Sequence, residues 1–118
     1  MNKVVLTGRL VSKPQLKQAK TGSFVADFSL AVDRYGQGGE KHTDFILCNT
    51  WGKIADNLCK YKDKGDMIGV IGTIRTEKYI AKDGIKRTKV FVAASEVEYL
   101  SSTKTSVEGP QEDNLPFE

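Results

Sequence analysis

From Phe24 to Asp33 the chain alternates strictly, with Phe24, Ala26, Phe28, Leu30 and Val32 on one face and Val25, Asp27, Ser29, Ala31 and Asp33 on the other. A period of two marks a strand with one face on a core, so Phe24 and Phe28 are expected inside. The same alternation predicts an earlier strand from Lys3 to Val11, in which Val4, Leu6, Gly8 and Leu10 oppose Val5, Thr7, Arg9 and Val11. Pro14 ends or bends it. Gly36-Gln37-Gly38-Gly39 interrupts the pattern before a third strand from Lys41 to Thr50, which predicts a hairpin with a flexible tip. Between Lys53 and Lys62 the period changes, because Ile54, Leu58 and Tyr61 are spaced as one stripe of a helix, with Gly65 as its stop. Strand periodicity returns from Met67 to Tyr79, Lys82-Asp83-Gly84 supplies a turn, and a fifth strand runs from Lys86 to Tyr99.

The predicted fold is mainly all-β: five strands with one short helix between the third and fourth, the arrangement of an OB-fold barrel. Gly8, Gly69 and Gly72 inside strands suit a tightly coiled barrel, where a side chain would obstruct the bends. With 39% hydrophobic and 28% charged residues and 3 Pro, the chain has the composition of a folded globule. After Leu100 the periodicity stops and polar residues with Gly and Pro take over. The expected division is a domain over residues 1–100 and a short, flexible acidic tail over 101–118.

Charge sharpens that division. Met1 to Leu100 carry 17 Lys and Arg against 11 Asp and Glu, a balance of +6, whereas Ser101 to Glu118 carry Lys104 against Glu108, Glu112, Asp113 and Glu118. A basic body suits a polyanion, and an acidic tail suits a basic protein pocket or competition for the body's own basic surface. No signal-peptide or membrane-length apolar run is present, so a soluble, cytoplasmic protein is expected. Cys48 and Cys59 have neither metal-ligand nor disulfide-scaffold spacing and read as reduced thiols. His42 is the single histidine and reads as a hairpin surface residue. Asp63 and Asp66 read as turn residues at the helix end. No metal, cofactor or catalytic constellation emerges, and an enzyme is not expected.

The informative constellation is aromatic rings interleaved with cations on strands, since bases stack on rings while cations follow phosphates. Phe45 and Trp51 share a parity around the end of the third strand. Tyr79 and Arg75 share one near the end of the fourth, and Tyr35 lies with Arg34 at the mouth of the Gly-rich hairpin. Rings on strands also build cores, and for Phe45 and Trp51 the residues alone leave both roles open.

The stretches Met1-Asn2-Lys3-Val4-Val5-Leu6-Thr7-Gly8-Arg9-Leu10, Phe28-Ser29-Leu30-Ala31-Val32, Asp44-Phe45, Trp51-Gly52-Lys53-Ile54-Ala55, Tyr61 with Lys64-Gly65, and Gly72-Thr73-Ile74-Arg75-Thr76 with Tyr79 together resemble the bacterial and bacteriophage single-stranded DNA-binding proteins. The resemblance covers nearly the whole chain. It implies an OB fold, a homotetramer, and coating of single strands with little sequence preference during replication, recombination and repair, in a bacterial or phage-infected cell. Its stacking positions fall on Phe45, Trp51 and Tyr79, with Tyr35 carried over beside them. Phosphate contacts are expected at Lys53, Lys64, Arg75, Lys78 and Arg87.

The run from Gln111 to Glu118 is similar to the family's acidic tip, with Glu112 and Asp113 ahead of the apolar Leu115, Pro116 and Phe117. Such a tip is expected to dock replication and recombination proteins. Family tips usually end on the Phe, whereas Glu118 follows Phe117 here, and the linker is short, as in phage or mobile-element members. The other reading of the same residues is an OB-fold module that binds RNA or serves as a protein adaptor.

Overall fold

The computed structural model describes residues 1–101; the expected partner-docking residues Glu112, Asp113, Leu115, Pro116 and Phe117 lie outside the described residues. Six strands and one helix follow in the order β1 (Val4–Leu10), β2 (Gln15–Gln18), β3 (Phe24–Tyr35), β4 (Lys41–Trp51), α1 (Gly52–Tyr61), β5 (Met67–Ile80) and β6 (Lys86–Ser101). The five long strands close in the order β1, β5, β6, β4, β3 and back to β1. The predicted barrel, with its helix between the third and fourth long strands, is therefore present.

Closure follows from register. β3 and β4 pair without interruption from Val25↔Trp51 to Tyr35↔Lys41, and β1 pairs with β5 from Val4↔Gly72 to Arg9↔Met67. A short parallel contact, Cys48↔Val92 and Asn49↔Ala93, joins β4 to β6. The last closure is antiparallel, at Arg9↔Ala31 and Leu10↔Leu30. The β5–β6 register slips by one residue between Ile71↔Glu96 and Gly72↔Ala94, leaving Ser95 as a bulge that coils the pair. At that bend a Cβ on Gly72 would stand 2.0 Å from the Ala93 carbonyl oxygen, and one on Gly8 would stand 2.6 Å from that of Ala31. Gly69 has ordinary room beside Glu98 and Leu100, so its role is not the close approach that the sequence suggests.

Leu10, Phe28, Leu30, Cys48, Leu58, Ile68, Val70 and Val92 form the core. Three expectations are corrected. Phe24, the first residue of β3, pairs with Gln18 at the sheet margin and is 40% exposed, because its parity points inward where the barrel interior has ended. Tyr61 is exposed; α1 buries Ala55 and Leu58 with Ile54 half-buried, and its stripe ends a turn earlier. The helix stops at Tyr61 with the Lys62 N–H donating to the Leu58 carbonyl, while Gly65 belongs to the following turn and donates to the Leu10 carbonyl. That turn is built as expected from Asp63 and Asp66: the Asp63 N–H donates to Asp66 Oδ2 at 2.9 Å.

β2 was not foreseen. All four of its residues are exposed and carry no apolar alternation, yet they pair with β3 from Gln15↔Asp27 to Gln18↔Phe24. β1 and β2 lie along one edge of β3, interrupted around Pro14, which has no N–H to give to a ladder.

Candidate nucleic-acid interface

The unbroken β3–β4 register decides which side chains share a face, because antiparallel partners point the same way. Tyr35, opposite Lys41, and Phe45, opposite Ala31, therefore lie on the same outer face as Trp51, opposite Val25. Tyr35 and Phe45 are each 69% exposed and Trp51 47%, so the core alternative fails for Phe45 and Trp51.

Trp51 also marks the junction from strand to helix. It adopts an extended conformation, and Gly52 turns the chain with φ +71, a left-handed value that favours glycine. The exposed Lys53 follows in the first turn of α1.

β5 and β6 continue the same surface. Through the Asn49↔Ala93 pair, the outer face of β4 meets Ala93, Phe91 and Lys89 of β6, and these oppose Thr73, Arg75 and Glu77 of β5. One pair further out, Tyr79 opposes Arg87. Tyr79 is 48% exposed, and Arg87 is held by Asp83 at 2.8 Å, an exposed ion pair that fixes its position more than it adds stability. Hydrogen bonds from the Ile85 N–H and Arg87 hold the Asp83 carboxyl below its ordinary range.

An open groove of about 350 Å³ runs between the two strand pairs, with Trp51, Val25, Asn49, Phe91, Arg75 and Glu77 in its walls. Lys89 Nζ lies 5.2 Å from the Phe91 ring centroid, a cation over a ring face. Asn49, Glu77, Lys89 and Phe91 escaped the sequence reading. Asn49 lies on the face already marked by Phe45 and Trp51, and that shared parity was the available signal. The position of Phe91 depends on the non-local pairing of β6 with β4, which no local pattern reports.

Two expected cations lie elsewhere. Lys78 alternates with Tyr79 and so projects from the opposite face of the hairpin, near Ile80 and Lys86. Lys64 is exposed on the α1–β5 turn, where its N–H donates to Asp63 Oδ1. On β3, Arg34 is engaged by Asp44 at 2.9 Å. Asp33 receives hydrogen bonds from Arg9 at 3.2 Å and Thr43 at 3.0 Å, which hold its carboxyl below the ordinary value. Those bonds tie β1 to the β3–β4 hairpin that carries Tyr35 and Phe45.

Among the described residues no group of three or more His, Cys, Asp or Glu is placed to hold a metal ion, and no helix is long and apolar enough to cross a membrane. His42 is exposed, with Nε2 3.5 Å from Glu40.

The sequence pattern of the single-strand binding protein family matches residues 1–100. The chain belongs to this family. Single-stranded DNA-binding protein 3 of Clostridium acetobutylicum is 44% identical over 119 aligned positions, which cover 97% of this chain and 83% of the relative. The single-stranded DNA-binding protein of Clostridium tetani is 43% identical, covering 94% of this chain and 78% of its own. Single-stranded DNA-binding protein 2 of Listeria monocytogenes is 40% identical, covering 97% and 72%.

Proposed function

We propose that this protein binds single-stranded DNA across the outer face of β3, β4, β5 and β6, without catalysing a reaction, and coats it with little sequence preference. The observation that carries this reading is four exposed rings, Tyr35, Phe45, Trp51 and Tyr79, on one continuous face with Arg75 and Arg87. A monomeric fold gains nothing from leaving four rings in water, whereas each stacked base contributes about 1–3 kcal/mol. Lys53 extends the cationic side near Trp51, and Lys64 and Lys78 serve phosphates that leave the face. The names of the similar proteins point the same way.

In this reading residues 1–100 are the DNA-binding unit, and Glu112, Asp113, Leu115, Pro116 and Phe117 recruit partner proteins in replication, recombination and repair. The homotetramer draws support from β1, which pairs with β3 only at Arg9 and Leu10 and leaves Val5 65% exposed, a strand open to a second copy. A competition shift assay tests the central reading: labelled oligo(dT) should be displaced by unlabelled oligo(dT) and poorly by duplex DNA. Equal displacement by oligo(U) would move the reading to RNA, and no shift at all to a protein adaptor. Light scattering should return four times the chain mass.

A further inference from the structure

Two features of the groove beside Trp51 are at odds with a surface that only stacks bases and neutralises phosphates. Asn49 Oδ1 is buried without a hydrogen-bond partner among the described residues, although its side chain lines the groove. Buried acceptors are nearly always paired, so an unpaired one calls for a reason. The second feature is Glu77, a carboxylate in the groove wall that would repel phosphate. Both groups supply acceptors, and Arg75 on the same wall supplies only donors.

We infer that this groove is a base-reading subsite, in which Asn49 and Glu77 are separate acceptors along the path of the bases that favour nucleobase amino groups, while Trp51 stacks on the ring. The inference rests on the reading of this face as the single-strand site and adds a chemical preference to it. An exocyclic amino group is a donor that either acceptor can receive from. The ring nitrogen or carbonyl beside it accepts from Arg75. Cytosine and adenine have that donor-beside-acceptor edge; uracil and thymine turn an oxygen to the carboxylate instead. A volume of about 350 Å³ is at the small end of ligand clefts and suits a single nucleotide. Oδ1 is covered in the free protein, so accepting from a base requires a turn about χ2, a soft torsion in a carboxamide. The bias is local and modest, so it leaves coating of most sequences intact.

Oligo(dC) and oligo(dU) differ at the base edge in question and carry no methyl group, which makes them the probes of choice. The full chain should bind oligo(dC) more tightly than oligo(dU) by about three- to ten-fold at fixed salt, the range of one net hydrogen bond. Asn49→Val and Glu77→Ala should each bring that ratio toward one, and Glu77→Ala should tighten oligo(dU) binding by removing a repulsive charge. The melting temperature separates recognition from support. Asn49→Val should hold or raise it, because the unpaired acceptor is gone; a purely structural Asn49 would lower it and leave the ratio unchanged. A ratio of one in the wild type, or one that neither substitution moves, overturns the inference and leaves single-strand binding standing. Failure of the wild type to bind either probe removes the reading beneath it as well.

Discussion

The two halves of β5 use the same kinds of residue to opposite ends. From Met67 to Gly72 alternate residues are sealed into the barrel, and Ile68 is 0% exposed. From Ile74 to Ile80 every residue is exposed, and Ile80 reaches 68%. Both halves are paired to β6 throughout, so hydrogen bonding does not distinguish them. The difference is that β1 covers the first half only, and the barrel interior ends at about Ile74. A strand is thus core or binding surface according to what closes over it, and its own alternation does not reveal where closure stops.

Substitutions should separate the two halves. The largest effect is expected in the barrel: Ile68→Ala should cost about 2–5 kcal/mol in urea unfolding, as for other large-to-small core changes. Ile80→Ala in the outer half of β5, the arm of the β5–β6 hairpin, should stay within about 0.5 kcal/mol, and a comparable loss there would show that the arm is packed after all. Gly72→Ala, at the bend between the halves, should cost about 1–3 kcal/mol because its new methyl group meets the Ala93 backbone.

The arm and the β4 face should respond in binding. Trp51→Ala and Tyr79→Ala should each weaken oligo(dT) binding by about 1–3 kcal/mol while leaving the unfolding midpoint in place. Lys53→Ala, in the first turn of α1 beside Trp51, should lower the slope of log K against log salt by about 0.7, the value for one phosphate on a single strand. Lys78→Ala, on the reverse face of the hairpin where the strand leaves the face, should lower it less, and no drop at all would show that the strand does not reach that edge.

This contrast also explains how much of the molecule was legible in the sequence. The long strands and the helix announced themselves by period, the hairpin turns by Gly36 to Gly39 and Lys82-Asp83-Gly84, and Phe45 with Trp51 announced a shared face. Phe24 and Tyr61 carried the right period and the wrong environment, since parity says which way a side chain points and not whether anything lies there. β2 had no period at all, and Phe91, Asn49 and Glu77 became neighbours only through the β4–β6 contact and the coiling of β5 on β6.

Smaller effects follow from titration. Burial pushes the Cys48 thiol up to about 12, and it raises that of the less buried Cys59 as well. At pH 8 a thiol reagent should modify Cys59 first and reach Cys48 on the timescale of unfolding; equal rates would mean that the core opens locally. Asp33, whose carboxyl is held low, contributes stability above its unfolded value near 3.8 and loses it as pH falls through the folded value. Asp33→Asn should therefore flatten the acid limb of the stability curve and leave the neutral-to-alkaline shape unchanged.

Trp51 is the only tryptophan in the chain, so its fluorescence reports on one point of the outer face. Titration of the protein with oligo(dT) at low salt should quench that emission to a saturating plateau, reversed by added salt. Oligo(dT) binding detected by a shift assay with no change in Trp51 emission would place the strand elsewhere and contradict the account.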